Sequence, residues 1–295
     1  MIRRKINFSV SGVKHYENEY YKNSSSSFAA LSVTGGSCCL GCAHCNGTIL
    51  QSMHDVSGME KFISRIDKLA DSGCNRVLVS GGSDLNGTVP LLPYIDGIDH
   101  AKQRGLKVVV HTGLVDRDTA YALKSANVDQ VLLDLIGSDK AIQDVYGIQK
   151  KPEDFLESMG YCKDAGLCLA PHLVIGLDFG RIEGEYHAID MARNAGVENF
   201  VLVVLSPKRG TKMQNVLPPP LDNVLKVFSY AANTLGDSNI SLGCARPFEY
   251  SIDLEKAAID LGFSAIAYPH GETIEYAKQL GVSFSFLEEC CCLCK

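Results

Sequence analysis

The segment that decides the fold of this chain lies at positions 34–47 and reads Thr34-Gly35-Gly36-Ser37-Cys38-Cys39-Leu40-Gly41-Cys42-Ala43-His44-Cys45-Asn46-Gly47. It follows an apolar run at 28–33 that predicts a first strand. Cys38 and Cys42 are separated by three residues, and Cys42 and Cys45 by two. Three thiolates this close in sequence can ligate three irons of one cubane iron–sulfur cluster. No fourth cysteine follows at short range, so one iron would stay open to a ligand that is not protein.

Three other interpretations of these cysteines are weaker. Cys39, Cys42 and Cys45 also form a C-x-x-C-x-x-C run, but a ferredoxin would continue with a cysteine where this chain has Ile49. A zinc site needs four tetrahedral ligands, usually in two separated pairs. A disulfide framework is typical of small secreted chains, and this chain is not small.

The spacing of Cys38, Cys42 and Cys45, with His44 directly before the last of them, resembles the signature of the radical S-adenosylmethionine (SAM) superfamily. The resemblance implies a [4Fe–4S] cluster on these three catalytic cysteines, with His44 beside the cofactor. The open iron would bind the amino and carboxylate groups of SAM. One electron from the cluster would then yield a 5′-deoxyadenosyl radical. Cys39 would be an additional thiol with a structural role.

Composition restricts the class of protein. The chain has 295 residues, of which 46% are hydrophobic, enough for one large core. Its net charge of −6 argues against nucleic acid or an anionic membrane as a partner. We see no signal peptide and no transmembrane helix. Twelve cysteines, several of them adjacent, favour reduced thiols and bound metal in the cytoplasm, and an anaerobic host.

Short apolar runs alternate with amphipathic helical stretches along the rest of the chain. With the first strand, the predicted strands lie at 28–33, 76–80, 107–111, 130–135, 167–175, 200–205, 240–243 and 264–267. Eight such units predict an α/β fold, a (β/α)8 TIM-type barrel with parallel strands. We divide the chain into an N-terminal extension (1–27), the barrel (28–280) and a cysteine-rich C-terminal tail (281–295) that packs at the barrel mouth.

The carboxyl ends of the predicted strands supply the other candidate cofactor contacts, because barrel enzymes work at that end. Gly81 and Gly82 allow close approach of the backbone, and Ser83 stands where the superfamily often has a glutamate. His111 and Asp134 end the next two strands and can donate or accept hydrogen bonds at the mouth.

Two further candidates follow the fifth and sixth strands. The stretch around Gly176 and Asp178 resembles the superfamily's adenine-packing segment, and Arg181 is the nearest cation for the cofactor carboxylate. A proline followed by Gly-Thr-x-Met, ending at Met213, resembles the biotin-synthase branch, in which this backbone lies beside adenine.

A second metal site is predicted from the end of the chain. Four of its last six residues are cysteines, and adjacent cysteines rarely bridge each other. We expect an auxiliary iron–sulfur cluster at the mouth, with Arg246 as a candidate non-thiolate ligand. Its candidate cysteines are Cys244, Cys290, Cys291, Cys292 and Cys294. A reduced tail without metal, or a tail thiol that delivers sulfur directly, are the alternatives.

Several segments together resemble the two-protein lipoyl synthases of archaea and some bacteria, most closely their smaller component. These are 32–38, 171–177, 243–247 and the terminal cysteines. The resemblance implies insertion of sulfur from the auxiliary cluster into an octanoyl chain. The implied partners are an octanoylated lipoyl-carrier protein, the second radical SAM component and a low-potential donor such as ferredoxin. Another biotin-synthase-like enzyme, of mutase or hydrogenase-maturation type, and a non-catalytic iron–sulfur or zinc carrier remain the alternatives.

Overall fold

The computed structural model describes residues 5–290. Its strands are β1 (Lys5–Ser9), β2 (Phe28–Ser32), β3 (His54–Asp55), β4 (Arg76–Ser80), β5 (Lys107–His111), β6 (Gln130–Asp134), β7 (Leu169–Ile175), β8 (Asn199–Val204), β9 (Asn239–Leu242), β10 (Ala265–Ala267) and β11 (Ser283–Leu287). Its helices are α1 (Met59–Asp71), α2 (Ile95–Gln103), α3 (Arg117–Ser125), α4 (Asp139–Ala141, continued by a wider turn over Ile142–Tyr146), α5 (Pro152–Asp164), α6 (Glu185–Ala195), α7 (Leu221–Thr234), α8 (Ser251–Asp260) and α9 (Gly271–Gln279).

The strands form one curled sheet in which the ladders are parallel, in the order β11-β1-β10-β9-β8-β7-β6-β5-β4-β2-β3. The eight predicted strands are β2 and β4 to β10, each within two residues of its predicted bounds. They are recognisable because parallel strands are buried on both faces and so appear as continuous apolar runs. The predicted α/β parallel barrel is confirmed.

The barrel wall is longer than eight strands. β1 lies between β10 and β11, with Asn7 opposite both Ala265 and Ser285. The described parts of the predicted extension and tail therefore belong to the same sheet as the barrel. Within residues 5–290 no ladder joins β11 back to β2. The seam is bridged instead by the Glu288 carboxylate, which accepts hydrogen bonds from the Ser24 amide at 3.0 Å and the Tyr21 hydroxyl at 2.9 Å.

Alternate residues of β4 to β8 face the barrel interior in three layers, because side chains along a strand point to opposite faces in turn. An apolar layer, the interior cluster, fills the middle with Leu78, Val109, Leu132, Ala170, Val201 and Val203. Two residues further along their strands lie the polar residues Ser80, His111, Asp134 and His172. Two residues before the members of the interior cluster lie Arg76, Gln130, Cys168 and Asn199. We call these the mouth layer and the base layer.

The helices cover the outside of the sheet. Phe62, Phe228 and Ile66 are fully buried between helices and strands. Asp116 caps α3 by accepting a hydrogen bond from the Thr119 amide at 2.8 Å. No helix in the described part of the chain is long and apolar enough to cross a membrane.

Candidate active site

The cysteine loop leaves β2 at the carboxyl end of the barrel. The Val33 amide donates to the carbonyl of Ser80 at 2.8 Å, which holds the start of the loop against β4. Within the loop, the Asn46 amide donates to the carbonyl of Cys42 at 2.8 Å, and the Ala43 amide to that of Val145. The loop is therefore fixed to two neighbouring segments, and Cys38, Cys42 and Cys45 all line one cavity.

Two thiols of this loop, Cys42 and Cys45, are close enough to share a metal ion, while Cys38 lines the same cavity outside that group. The ligand atoms of Cys42, His44 and Cys45 lie within 4.8 Å of one another. The hydrogen bond from Cys42, which outweighs the opposing effect of burial, lowers the pKa of Cys45 to about 4. The same bond raises the pKa of Cys42, because its proton is held between the two sulfurs. A thiolate at neutral pH is the form that binds metal.

The glycine-rich end of β4 lies directly against the cysteine loop. A Cβ on Gly82 would stand 2.0 Å from the carbonyl oxygen of Ser37 and 2.6 Å from the Cα of Cys38. The carbonyl of Ser83 accepts from the Cys39 amide at 2.8 Å and lies 3.9 Å from the Cys38 sulfur. Gly81, Gly82 and Ser83, which the sequence predicts to contact the cofactor, line this cavity.

A polar group faces the cysteines across the cavity. Asp134 accepts from the Tyr146 hydroxyl at 3.2 Å and lies 3.6 Å from the Nε2 atom of His111. Burial works to raise the pKa of Asp134, but the contact with His111 and the nearby His172 and His44 outweigh it and hold that pKa below its usual range. The carboxylate is therefore ionised and available to a ligand's hydroxyl or ammonium group.

Tyr146 and His172 belong to this polar group, although neither was predicted from the sequence as a site residue. The Tyr146 ring lies 5.3 Å from the His44 ring, and burial with the adjacent Asp134 raises the pKa of its hydroxyl, which stays protonated. The His172 ring lies 5.8 Å from that of His111. Because side chains alternate between the two faces of a strand, His172 could have been predicted to share a face with Ala170 and Val174. No local sequence feature distinguishes Tyr146.

The cavity between these two walls has a volume of about 360 Å³. Its floor is apolar and consists of Leu78, Val174 and Val203. Lys208 lines it as well, on the loop after β8, and is a cation that sequence reasoning did not assign.

Arg181 and Met213 lie away from the cavity lining. The Arg181 guanidinium pairs with Asp178 at 2.8 Å and is about half exposed. The Met213 side chain is fully buried. The Met213 backbone amide donates to the carbonyl of Ala43 at 3.3 Å and so holds the cysteine loop in place. Lys208 rather than Arg181 is the cation that borders the described cavity.

The predicted auxiliary site at the mouth is not assembled by the described residues. Cys244 follows β9 at the carboxyl end and is exposed, whereas Cys290 packs against the interior cluster. The residue before it, Glu289, pairs with Arg76 at the start of β4, at 2.6 Å. The described start of the tail thus contacts the base of the barrel through Glu289, and packing of the tail at the mouth stays a prediction. Cys291, Cys292 and Cys294 lie outside the described residues.

Arg246, the candidate non-thiolate ligand, lies in a buried hydrogen-bond network. Its guanidinium donates to Glu255 at 2.6 Å, to Ser251 at 2.8 Å and to the carbonyls of Gly243, Ala267 and Tyr268. Its side chain is 6% exposed and that of Glu255 is fully buried. The role of Arg246 as a candidate non-thiolate ligand stays a prediction.

A parallel barrel with three cysteines on the first loop at its mouth, all lining one cavity, is typical of an iron–sulfur enzyme of the SAM-cleaving class. The chain belongs to the radical SAM superfamily, whose family model matches residues 32–181. Membership implies a [4Fe–4S] cluster and SAM as cofactors. The described residues fit them, since the three thiols share one cavity with a partnerless buried Nδ1 atom of His44 and an ionised Asp134.

Solved structures agree with this fold. Methylornithine synthase (PylB) superposes with a TM-score of 0.59 at 13% identity, covering 88% of this chain and 82% of that one. The [FeFe]-hydrogenase maturase HydG gives 0.63 at 15%, covering 90% and 56%. Streptococcus suis SuiB bound to SAM gives 0.56 at 15%, covering 76% and 52%. At these identities the likeness concerns the fold alone. No match was found among curated proteins.

Proposed function

We propose that this chain uses SAM cleavage to insert sulfur into an octanoyl chain carried by a protein, as a component of a lipoyl synthase. The observation that carries the proposal is the cavity beside the cysteine loop, whose polar wall is opposite the thiols and whose floor is apolar. Such a floor favours an alkyl chain over a polar substrate, because burial of apolar surface drives its binding.

The roles of the residues follow from their positions. Cys38, Cys42 and Cys45 would hold the cluster, which when bound and reduced supplies the electron that cleaves SAM to methionine and a 5′-deoxyadenosyl radical. The backbone of Gly81 to Ser83 would receive the cofactor's amino group. Lys208 would pair with its carboxylate, and Asp134 would accept from the ribose hydroxyls.

A partner that carries the octanoyl chain is supported by exposed side chains on the loops at the carboxyl end of the barrel. Leu85, Leu217 and Phe248 are the most exposed large apolar side chains of the described residues, at 74%, 82% and 84%, and each follows the carboxyl end of a strand. Lys208, Arg209 and Lys212 lie exposed on the loop after β8. Exposed apolar and basic side chains on these loops fit an acidic carrier protein whose modified lysine reaches into the cavity.

The other proposed partners are a second radical SAM component and a low-potential electron donor such as ferredoxin. Neither has a surface that we assign. The electron donor is required by the chemistry, because reductive cleavage of SAM consumes one electron per molecule.

The test is product analysis by mass spectrometry of an octanoylated lipoyl-carrier protein, incubated anaerobically with the reconstituted enzyme, SAM and dithionite, with and without a second component. We expect 5′-deoxyadenosine and a sulfur-containing acyl chain. Formation of 5′-deoxyadenosine without sulfur transfer in both mixtures would support the alternative, another biotin-synthase-like enzyme of mutase or maturase type. Absence of 5′-deoxyadenosine would support a non-catalytic iron–sulfur or zinc carrier.

A further inference from the structure

The segment that follows β6 contains a turn wider than those of an α-helix. It covers Ile142–Tyr146, and we call it the wide turn. The amide of Gly147 closes it by donating to the carbonyls of Ile142 and Gln143, each at 3.1 Å. Such turns are rare and are often found at functional sites. One extra residue rotates the side chains that follow it by about 100° around a helix axis, so the wide turn determines where the Tyr146 side chain points.

Two groups of the wide turn contact opposite walls of the cavity. The Val145 carbonyl accepts a hydrogen bond at 2.8 Å from the Ala43 amide, which belongs to the cysteine loop. The Tyr146 hydroxyl donates to Asp134 of the polar wall at 3.2 Å, and the Tyr146 ring lies 5.3 Å from that of His44. A single short turn therefore connects the wall that carries the thiols to the wall that carries the carboxylate.

The wide turn is held in place from both of its sides. Ile142 and Val145 are 0% and 2% exposed and pack in the core. On the other side, the Lys140 ammonium pairs with Asp144 of the wide turn at 2.8 Å and with Asp178, on the loop after β7, at 3.0 Å. The Asp178 side chain is 1% exposed, so this anchor is largely removed from water. The wide turn thus has little freedom to shift relative to the cavity.

The Tyr146 hydroxyl contacts one oxygen of a carboxylate whose other oxygen is also contacted. Oδ2 of Asp134 accepts from Tyr146, and Oδ1 lies 3.6 Å from Nε2 of His111. A carboxylate can accept about four hydrogen bonds, so these two contacts leave capacity for a ligand. They also restrict rotation of the carboxylate, which therefore does not have to be ordered when a ligand binds.

A purely structural role would explain the ring of Tyr146 but not its hydroxyl. Packing beside His44 needs only an aromatic ring, which phenylalanine would supply equally well. The hydroxyl donates to a carboxylate that lines the cavity. A group placed to orient a ligand-binding acceptor is expected to affect ligand affinity through that acceptor, whereas a packing group is expected to affect stability alone.

We propose that Tyr146 is a positioning residue for SAM. Its hydroxyl fixes the Asp134 carboxylate in the orientation that accepts from the ribose hydroxyls, while the same turn holds the cysteine loop through Val145. This inference deepens the proposed function and rests on it for the role of Asp134, but not for the octanoyl chain or the sulfur.

The first test is the affinity for SAM, measured without reductant so that no cleavage occurs. Equilibrium dialysis of radiolabelled SAM against the anaerobically reconstituted protein gives the Kd. Asp134→Asn should raise it about tenfold and Tyr146→Phe about fivefold. In the Asp134→Asn background, Tyr146→Phe should add less than about twofold, because the group through which it acts is already lost. Tyr161→Phe, which removes another tyrosine hydroxyl bonded to a carboxylate, is the control and should leave the Kd unchanged.

The second test asks whether the loss concerns the ribose hydroxyls. Adenosine and 2′,3′-dideoxyadenosine are compared as competitors of labelled SAM. In the unsubstituted protein adenosine should bind about tenfold more tightly than the dideoxy nucleoside. Tyr146→Phe should weaken adenosine about fivefold and leave 2′,3′-dideoxyadenosine unchanged, whereas damage to packing around the cavity would weaken both. Iron content and circular dichroism of Tyr146→Phe should match those of the unsubstituted protein.

Several results would overturn the inference. They are an unchanged Kd for SAM in Tyr146→Phe, additive effects of the two substitutions, equal weakening of the two nucleosides, and loss of iron from Tyr146→Phe. These measurements involve no acyl substrate, so the proposed function is tested separately. Failure to transfer sulfur with the coupling between Tyr146 and Asp134 intact would refute only the sulfur insertion, and sulfur transfer without that coupling would refute only the role of Tyr146.

Discussion

At the scale of single residues, Cys244 and Arg246 illustrate what a local sequence pattern leaves undetermined. They are two positions apart, yet Cys244 is exposed while the guanidinium of Arg246 is surrounded by acceptors from three segments. Those acceptors lie 3 to 22 residues from Arg246 along the chain and converge on it only in the folded barrel, so the sequence around Cys244 could not show which donors of Arg246 are used. The three cysteines of the first cluster differ in this respect, because their spacing alone brings them together.

Removing the acidic partner of Arg246 should destabilise the protein strongly. Glu255→Gln keeps the shape but leaves a buried guanidinium without its counter-charge, a change worth about 3–5 kcal/mol of unfolding free energy. Urea denaturation followed by circular dichroism measures it. The exposed pair of Lys61 and Asp55 supplies the control, since Lys61→Gln should change stability by less than about 1 kcal/mol. Equal effects of the two substitutions would show that the Arg246 network is dispensable.

Cys42 and Cys39 form a second matched pair at this scale. Cys42→Ala removes an iron ligand and should abolish 5′-deoxyadenosine formation, whereas Cys39→Ala removes an exposed thiol of the same loop and should leave at least half of it. The measurement is chromatography of 5′-deoxyadenosine after anaerobic incubation with SAM and dithionite. If Cys39→Ala alone abolished the product, the ligand set would be the ferredoxin-like run of Cys39, Cys42 and Cys45.

At the scale of elements, the eight core strands were predictable because their apolar runs alternate with amphipathic helices. β1 and β11 were not assigned to the barrel. Lys5–Ser9 and Ser283–Leu287 alternate polar and apolar residues, as strands with one exposed face do, but only the folded barrel brings β1 beside β10 and β11 beside β1. For the same reason the sequence positions of the tail cysteines could not show which end of the barrel the start of the tail contacts. It depends on where β11 ends, beside the start of β2.

The contact between the end of β4 and the cysteine loop gives a prediction at the level of elements. Gly82→Ala places a methyl group on the Ser37 carbonyl and should displace the loop, so that reconstituted iron and 5′-deoxyadenosine formation both fall at least tenfold. Gly36→Ala lies on the same loop with nothing within 4 Å of the added carbon and should retain both. Retention of iron and activity by Gly82→Ala would show that the loop tolerates separation from β4.

The loop after β8 should govern recognition of the carrier. Reversing its exposed charges with Arg209→Glu and Lys212→Glu should raise the KM for an octanoylated carrier about tenfold, with kcat nearly unchanged, and weaken the dependence of KM on salt. Lys226→Glu, on α7, is the control. A loss in kcat alone, or an equal loss for a free octanoyl peptide, would place these cations outside partner binding.

At the scale of the whole molecule, the barrel is completed by side chains rather than by a ladder. Glu288 connects β11 to the segment before β2, and the Tyr21 ring stacks on Phe286 with centroids 4.5 Å apart. Interior layers that differ in polarity then separate the two ends of the barrel. Sequence motifs could therefore predict the chemistry at the mouth, whereas the residues of the base layer could be identified only from the folded barrel.

Loss of the seam contact should loosen both edges of the sheet together. Glu288→Ala removes two hydrogen bonds to a carboxylate and should lower the free energy of unfolding by about 1.5–3 kcal/mol. Hydrogen exchange should accelerate in β2 and β11 and remain unchanged in β6. Glu272→Ala, an exposed glutamate of α9, should do neither. Faster exchange throughout the sheet would mean that the seam has no separate role.

The neighbourhood of β1 and β11 has a consequence for biosynthesis. β1 leaves the ribosome long before β10 and β11, the two strands that flank it in the sheet. Until then the nascent chain carries an open parallel sheet with apolar faces, and such unpaired edges bind other chains. Yield in a heterologous host should accordingly depend on chaperone supply and on translation speed through the segment that encodes β10 and β11.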